Sequence, residues 1–251
     1  MQKKLEFKNF KSEEERENYQ NLLSLFKNCS IPEEQIFDNL GLFLGSKQLA
    51  RILFMDYLYR KIIDVHGIVI DFGTRWGQNM AIFSALRGIY EPFNRLKKIV
   101  GFDTFAGFLK IAKEDGESDQ MKVGNANVTR NYKDYLTGVM DYHEKSNPLG
   151  HIKKYDIVSG DASREFRKYL IKNPETIVAL AYFDFDLYEP TKKCLAMIKP
   201  HLVRGSVIAF DELNDHDSPG ETLAVREVFG LNNIKLKRYP YTSRTSYFVF
   251  E

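Results

Sequence analysis

The sequence predicts an α/β protein built on a doubly wound parallel sheet. From His66 onward, short apolar runs alternate with amphipathic stretches of helical spacing, a pattern typical of strands that helices cover on both faces. Several of these runs end in an aspartate, so that acids collect along one edge of the predicted sheet. Right-handed crossovers place ligands at that edge, outside the carboxyl ends of the strands.

Residues 1–65 are predicted to form a helical cover at the N-terminus. Pro32 followed by Glu33 and Glu34 is typical of a helix start, since proline fits the first turn and acids suit the positive end of the helix dipole. Because this segment is apolar as well as charged, we expect it to mediate a homo-oligomer, a dimer or a larger ring. Within residues 46–65 the apolar side chains at helical spacing are Leu49, Ile52, Leu53, Tyr57, Tyr59 and Ile62.

Residues 66–251 are predicted to hold the sheet, with an insertion at about residues 104–150. Helices are predicted between the strands, at residues 78–90, 163–173, 189–203 and 220–230. Two further strands, at residues 233–240 and 245–251, are close enough to pair as a hairpin and complete a seven-stranded sheet. The five preceding strands are "GIVIDFG" (67–73), "KIVGFD" (98–103), "YDIVSGD" (155–161), "TIVALAYFDFD" (176–186) and "GSVIAFDE" (205–212).

The acids at the strand ends predict a ligand site. A single aspartate in this position commonly caps the helix that follows. Burying several carboxylates together is costly unless something binds them. The set is therefore too large to be explained by capping alone. It comprises Asp71, Asp103, Asp161, Asp184 and Asp211, with Asp186 and Glu212 beside them.

The turn after the first strand favours a nucleoside ligand over a dinucleotide. Residues 73–77 read Gly-Thr-Arg-Trp-Gly, which lacks the G-x-G-x-x-G spacing, and the bulky middle would crowd a pyrophosphate. Asp103 is placed to accept hydrogen bonds from two ribose hydroxyls, and Asp161 to bind an adenine amino group. This arrangement suits S-adenosylmethionine, and it leaves a nicotinamide-dependent oxidoreductase as the alternative.

Five stretches resemble the sugar O-methyltransferases typified by the macrocin, mycinamicin and novobiocin-sugar enzymes. The resemblance covers about residues 46–230. It implies the class I methyltransferase fold, a Rossmann-like seven-stranded sheet whose last strand is antiparallel, and S-adenosylmethionine-dependent methylation of a sugar hydroxyl. The stretches are "GIVIDFGTRWGQN", "GFDTFAGF", "VSGDA", "YFDFDLYEPTKKCL" and "GSVIAFDEL".

The resemblance also implies the cofactor and metal residues. It implies Mg²⁺ bound by Asp184, Asp211 and Glu212, where the family usually has two aspartates at the last pair. Magnesium prefers oxygen ligands and would lower the pKa of a bound sugar hydroxyl. Cofactor contacts are implied at Gly73, Asp103 and Asp161, and we extend them to Asp71, Thr74, Arg75, Trp76, Thr104, Phe105, Gly160, Ala162 and Asp184.

Asp186 is the predicted general base, with Asp184 beside it in the catalytic set. In the family the second aspartate of the D-x-D pair has been proposed for this role. His143 and His216 are rivals, because a loop histidine has a suitable pKa. Asp186 could instead support a neighbour or cap the helix near Glu189.

The acceptor is less well defined by the sequence. Basic residues in the insertion, such as Arg130–Lys133, favour a nucleotide-diphosphate sugar for surface polysaccharide, with a glycosylated natural product as the alternative. A non-catalytic module that binds S-adenosylmethionine is the third possibility.

Composition limits the partners. The chain has 251 residues and a formal net charge of +2, which predicts no nucleic-acid partner. No stretch approaches the about 20 apolar residues of a membrane span. Cys29 and Cys194 are far apart and lack metal-type neighbours. Few cysteines and no export signal predict a cytoplasmic protein.

Overall fold

The computed structural model describes residues 12–251, so the first eleven residues of the predicted N-terminal cover lie outside the described residues. The strands are β1 (Ile68–Phe72), β2 (Ile99–Asp103), β3 (Tyr155–Ser159), β4 (Val178–Phe183), β5 (Leu202–Phe210), β6 (Lys237–Arg238) and β7 (Ser246–Val249). The helices are α1 (Glu13–Lys27), α2 (Ser46–Arg60), α3 (Gln78–Tyr90), α4 (Tyr132–Lys145), α5 (Ala162–Lys172), α6 (Tyr188–Ile198) and α7 (Gly220–Val228).

The strands form one seven-stranded sheet in the order β3-β2-β1-β4-β5-β7-β6. Strands β1 to β5 are parallel to their neighbours, whereas β7 pairs antiparallel with β5 and with β6. The predicted doubly wound sheet with a reversed last strand is therefore confirmed. The strand order reverses between β1 and β4, which is where a sheet of this kind opens a crevice for a ligand.

A row of phenylalanines crosses the sheet just below its carboxyl edge. Phe102, Phe72, Phe183 and Phe210 lie on neighbouring strands, with ring centroids 5.3, 4.8 and 5.3 Å apart in that order. All four are fully buried, and such aromatic contacts stabilise the register in which the strands pair. The residue after each phenylalanine lies at the same level of the carboxyl edge. Those four residues are Asp103, Gly73, Asp184 and Asp211.

Helix α2 packs on the opposite face of the sheet. Its buried residues, Phe54, Met55, Leu58 and Tyr59, join the core that includes Val69 of β1. The buried Lys97 ammonium donates to the carbonyl oxygens of Ile62 and Val65 at 2.9 and 2.7 Å, just beyond the end of α2. These contacts fix the position of α2 relative to the sheet.

The segment before α2 is attached much more loosely. Residues 12–49 contain no buried side chain, although α1 begins with a complete capping box formed by Ser12 and Glu15. The predicted helix after Pro32 consists of two 3₁₀ turns, Glu33–Gln35 and Phe37–Phe43. Asn39 and Gly41 are poor residues for an α-helix interior, which explains the difference.

The insertion contributes α4, which the sequence patterns did not predict. Leu136 and Met140 are buried against α3, and the buried carboxylate of Glu144 binds the buried guanidinium of Arg87. In the part of the chain that the structure describes, no helix combines the length and the apolar character that crossing a bilayer requires.

Candidate active site

A cavity of about 1290 Å³ lies over the carboxyl ends of the parallel strands. Its floor is formed by the loops after β1, β2, β3, β4 and β5. Helix α2 and the side chains of Glu15 and Tyr19 from α1 form one wall. The loop between β6 and β7 forms another part of the rim, at residues 241–245.

Four loops at this edge hold a non-glycine residue in the left-handed backbone region. Arg75, Phe105, Asp186 and Asn214 have φ angles of 48°, 54°, 60° and 60° and follow β1, β2, β4 and β5 respectively. This conformation is uncommon for residues with a side chain and persists where the surrounding structure imposes it. Each of these four loops at the carboxyl edge of the sheet therefore holds one strained backbone position.

The turn after β1 is held against the end of β4. Gly73 has a φ of 85°, and a Cβ at this position would lie 2.0 Å from the carbonyl oxygen of Asp184. Its N–H donates to Phe102 at 2.9 Å, while the N–H of Asp184 donates to Phe72 at 2.8 Å. Only glycine allows this close approach, which brings the cofactor turn beside the D-x-D segment.

Asp103 organises two of these loops. Its carboxylate accepts hydrogen bonds from the backbone N–H of Arg75 at 2.8 Å and of Phe105 at 2.6 Å. Burial raises the pKa of Asp103, and the two backbone donors oppose that rise. Asp161 caps α5, since it accepts from the N–H of Ser163 at 2.9 Å. Both acids line the cavity, where their remaining acceptor capacity can face a ligand.

Most of the predicted cofactor residues lie around this part of the cavity. Asp71 and Phe105 do not line it. Asp71 is fully buried beneath the turn, where it accepts from the side-chain amide of Asn79 at 3.0 Å, and burial raises its pKa to about 6. The predicted residues that line the cavity are Gly73, Thr74, Arg75, Trp76, Asp103, Thr104, Gly160, Asp161, Ala162 and Asp184.

An arginine that the sequence reading missed lies between two of the predicted metal ligands. The two terminal nitrogens of Arg51 donate to Asp184 Oδ2 and Asp211 Oδ1, each at 2.7 Å. Arg51 precedes Phe54, Met55 and Leu58 of α2 by three, four and seven positions, so it lies on the helix face that packs on the sheet. A charged residue on that apolar face was the available signal.

Glu212 is directed elsewhere. It accepts from the hydroxyl of Ser218, and its other oxygen lies 2.6 Å from the guanidinium of Arg244. The three predicted metal ligands are consequently not gathered around one point in this arrangement. Within residues 12–251, no three His, Cys, Asp or Glu side chains are grouped so that they could hold a metal ion.

Asp186 is a strongly perturbed acid of the cluster. Burial raises its pKa well above the ordinary value, and the nearby charges of Glu212, Asp184 and Asp211 raise it further. Its Oδ1 is buried and has no hydrogen-bond partner. Glu221 supports the same loop from below by accepting from the N–H of Phe185 at 3.0 Å. An acid held buried with a free acceptor at a cavity is a candidate catalytic group.

The two rival histidines do not line the cavity. His143 lies on α4, where its ring packs against Tyr142 with centroids 5.6 Å apart. His216 follows β5 in the loop before α7 and is also outside the lining. The arrangement therefore brings Asp184 and Asp186 to the cavity and leaves both histidines away from it.

The sheet order, the glycine turn and the edge acids define a class I methyltransferase. Comparison with solved structures gives the family. The chain superposes on the calicheamicin methyltransferase CalS11 with a TM-score of 0.94 and 43% identity, over 96% of this chain and 95% of that one. The chain belongs to the family of sugar O-methyltransferases and is an S-adenosylmethionine-dependent enzyme, as the resemblance implied, which excludes the oxidoreductase alternative.

Two further structures agree. An apo structure of CalS11, described as a TDP-rhamnose 3′-O-methyltransferase of calicheamicin biosynthesis, matches with a TM-score of 0.85 and 42% identity over 96% of each chain. The O-methyltransferase NovP shares the fold at 16% identity, with a TM-score of 0.57 over 80% of this chain and 79% of that one. No protein-family model and no curated protein sequence matches this chain.

Proposed function

We propose that this enzyme transfers the methyl group of S-adenosylmethionine to a hydroxyl of a nucleotide-linked deoxysugar similar to TDP-rhamnose. The observation that carries the proposal is one continuous cavity that contains both the Gly73 and Asp103 turn and the acids Asp184 and Asp186. A donor and an acceptor bound in it would meet at the end of β4. The high identity to CalS11 supports the choice of a sugar acceptor.

Cationic side chains in the cavity support the nucleotide-linked form of the sugar. Lys47, Lys110 and Lys193 line it together with Arg75. Ammonium and guanidinium groups are the usual partners of phosphate oxygens. A diphosphate linkage would add negative charge that matches these side chains, which an uncharged natural-product glycoside does not offer. Methylation of a sugar destined for a surface polysaccharide is compatible with the same acceptor chemistry.

The residues present fit S-adenosylmethionine. Asp103 would accept from the ribose hydroxyls, and Gly73 lets the backbone approach the amino-acid portion. Trp76, which is 43% exposed and lines the cavity, would lie beside the adenosyl group. When bound, the cofactor supplies an electrophilic methyl group. The protein's own task is to orient a hydroxyl oxygen toward that carbon and to accept its proton.

Asp186 is the proposed proton acceptor. The cofactor would supply the methyl group, and the carboxylate of Asp186, a stronger base than an ordinary aspartate because its pKa is raised, would accept the proton of the sugar hydroxyl. Its Oδ1 has no hydrogen-bond partner and keeps its capacity to accept, and the left-handed backbone at Asp186 sets the direction in which the side chain leaves the loop. Asp184 precedes Asp186 on the same loop, and its carboxylate oxygens would orient the sugar hydroxyl. His143 has no part in this mechanism.

We propose that Asp184 and Asp211 would hold a divalent cation, Mg²⁺. Glu212 would become a third ligand after rotation of its side chain. Carboxylate oxygens are the donors that magnesium prefers, and a guanidinium already bridges two of them as a stand-in cation. When bound, such an ion polarises a sugar hydroxyl. The carboxylate oxygens are donors of the type that the ion prefers. In this structure the guanidinium of Arg51 occupies the position between Asp184 and Asp211.

The proposed setting is a cytoplasmic homo-oligomer. Cys194 is buried and Cys29 partly buried, both as free thiols, which suits a reducing compartment. Residues 12–49 expose large apolar side chains without a buried residue of their own. A second copy of the chain would cover them. We propose no nucleic-acid partner and no membrane partner, in line with the near-neutral charge of the chain.

Methyl transfer to nucleotide sugars tests the proposal directly. The enzyme is incubated with S-adenosylmethionine and either TDP-rhamnose or a macrolide glycoside, and S-adenosylhomocysteine is quantified. We expect turnover with the nucleotide sugar and a loss of about 10²- to 10⁴-fold in kcat for Asp186→Asn, with cofactor affinity retained. Cofactor binding without turnover on any sugar would favour the non-catalytic module instead. Persistent turnover in excess EDTA would show that methyl transfer does not need a divalent cation.

A further inference from the structure

We infer that Asp115, from the insertion, is a positioning residue that holds the loop carrying Asp186 against the wall of the substrate cavity. The inference rests on the proposed function, in which Asp186 accepts the proton of the sugar hydroxyl, and it adds a residue that does not itself line the cavity. Asp115 ends a short 3₁₀ turn, Lys113–Asp115, and is only 1% exposed. A buried carboxylate is costly unless its oxygens are bound, so its partners indicate its role.

Both oxygens of Asp115 accept hydrogen bonds from the backbone. Oδ1 accepts from the N–H of Tyr188 and Oδ2 from the N–H of Ala112, each at 2.6 Å. Tyr188 begins α6 and follows Asp186 by two positions, whereas Ala112 belongs to the insertion and lines the cavity. Hydrogen bonds to an ionised acceptor are about twice as strong as neutral ones. One carboxylate therefore joins the catalytic loop to the cavity wall.

Asp115 also caps the N-terminus of α6. The residue at the N-cap position is Leu187, whose side chain cannot accept a hydrogen bond, so the first N–H groups of the helix need an acceptor from elsewhere. The helix dipole favours a carboxylate at this end. Because Asp115 fills this role, Asp186 is not needed as the cap, and its Oδ1 keeps its capacity to accept.

The start of α7 leaves room for this contact. A Cβ on Gly220, the first residue of α7, would lie 2.6 Å from both Asp115 Oδ1 and the backbone nitrogen of Tyr188. It would also lie 3.1 Å from the carbonyl oxygen of Asp186. Only glycine at position 220 lets these three groups meet without displacement.

The backbone of the catalytic loop needs such restraints. Asp186 has a φ of 60°, a conformation that persists where the surrounding structure imposes it. On one side of it the N–H of Phe185 donates to Glu221 at 3.0 Å, and on the other side the N–H of Tyr188 donates to Asp115. Without Asp115 the second restraint is lost. A displacement of about 1 Å in a catalytic group can cost about 100-fold in rate.

Methyl transfer and hydrogen exchange test the inference in the full-length protein. We expect Asp115→Ala to lower the kcat of the folded enzyme with TDP-rhamnose about 10- to 100-fold, because the proton acceptor is misplaced. The KM for the sugar and the affinity for S-adenosylmethionine should change less than about threefold, since the side chains that bind them remain. In the ligand-free protein, the amides of residues 185–188 should exchange with deuterium at least about tenfold faster.

Asn94→Ala is the matched control. The side chain of Asn94 also accepts from two backbone N–H groups, those of Leu96 and Lys97 at 3.0 and 3.2 Å. It lies between α3 and β2 and does not line the cavity. Its loss removes the same number of backbone hydrogen bonds. The kcat, the KM and the exchange at residues 185–188 should nevertheless stay within about twofold of wild type.

Asp115→Asn provides a second route if the alanine variant does not fold. Its amide oxygen can accept a hydrogen bond but its NH₂ group cannot, so its kcat should lie between those of wild type and Asp115→Ala. Equality of Asp115→Asn with wild type counts against the inference.

Three further results would overturn the inference: a wild-type kcat for folded Asp115→Ala, an equal loss of kcat in Asn94→Ala, or unchanged exchange at residues 185–188 in Asp115→Ala. A wild type that transfers no methyl group to any sugar would refute the proposed function. The exchange rates, which need no substrate, would then decide whether Asp115 restrains the loop.

Discussion

The carboxylate of Asp103 accepts a hydrogen bond from the backbone N–H of Arg75, 2.8 Å away. An acid at the end of β2 thereby fixes the turn that follows β1. The same carboxylate binds the N–H of Phe105, the residue at which its own loop turns back. Arg75 and Phe105 both have left-handed backbone angles, so Asp103 stabilises the two strained positions nearest the cofactor side of the cavity.

Asp103→Ala should therefore weaken cofactor binding more than a simple contact loss suggests. We expect S-adenosylmethionine affinity to fall about 10- to 100-fold, because the ribose acceptor and the support of two loops are lost together. The free energy of unfolding should fall by about 1–3 kcal/mol, since two backbone donors lose their partner. Calorimetric titration and urea unfolding measure the two effects. Asp156→Ala, on the neighbouring β3, is the control, and an equal loss of affinity there would contradict this role.

Asp71 should make stability depend on pH. Burial raises its pKa from 3.8 to about 6, so the folded chain holds this proton more tightly than the unfolded chain. The stabilisation by the protonated group is complete below about pH 3.8 and is lost as pH rises through about 6. Asp71→Asn cannot ionise and still offers an acceptor to Asn79.

Urea unfolding between about pH 4 and 7 measures this effect. As pH rises through that range, the free energy of unfolding of Asp71→Asn should increase relative to that of wild type by up to about 3 kcal/mol. Asp119→Asn, whose side chain is 81% exposed, controls for the loss of a surface carboxylate. A difference between Asp71→Asn and wild type that stays constant with pH would show that Asp71 does not titrate in this window.

The fold was predictable because local patterns and the global arrangement agree. A phenylalanine followed by an aspartate ends β2, β4 and β5, and a phenylalanine followed by glycine ends β1. The aromatic rings must pack side by side, so the residues after them emerge at one level of one edge. Apolar runs and strand ends carry this information locally, and right-handed crossovers supply the rest.

The partners of the site residues were less accessible to sequence reasoning. Arg51 reaches Asp184 across 133 positions of sequence, and no local pattern specifies such a pair. Glu212 follows Asp211 directly, yet successive residues leave the strand in different directions, and Ser218 with Arg244 binds it. Helix α4 was missed because it packs with only three buried residues in a largely polar insertion.

The buried pair of Glu144 and Arg87 should be essential to stability. Glu144 on α4 binds the guanidinium of Arg87 on α3, which also donates to the carbonyl oxygen of Lys154 at 2.9 Å before β3. Both side chains are at most 4% exposed. Glu144→Ala leaves a buried charge uncompensated and should lower the free energy of unfolding by about 3–5 kcal/mol.

Urea unfolding checks this value, with Lys168→Ala as the matched control. Lys168 pairs with Glu165 at 2.7 Å but is 63% exposed, so its loss should cost at most about 1 kcal/mol. Cofactor affinity of the folded fraction should be unchanged in both variants, because neither pair lines the cavity. Similar costs for the two variants would mean that the insertion is not anchored through Glu144.

The exposed apolar side chains of the N-terminal segment should report on assembly. Leu25 is 67% exposed and Phe37 82% exposed, and neither α1 nor the following 3₁₀ turns bury a residue. Large apolar side chains exposed in this number within one segment suit an interface with another chain. We expect light scattering to give the mass of a dimer or larger assembly for the wild type. Phe37→Glu together with Leu25→Glu should reduce the mass to that of one chain, since a carboxylate at the centre of an apolar contact loses its hydration without gaining a partner.

Ile171→Glu is the control for the assembly prediction. It introduces the same charge at a site on α5 that is 74% exposed and should leave the assembly intact. A monomeric wild type, or equal dissociation by the α5 variant, would show that this surface does not join copies of the chain.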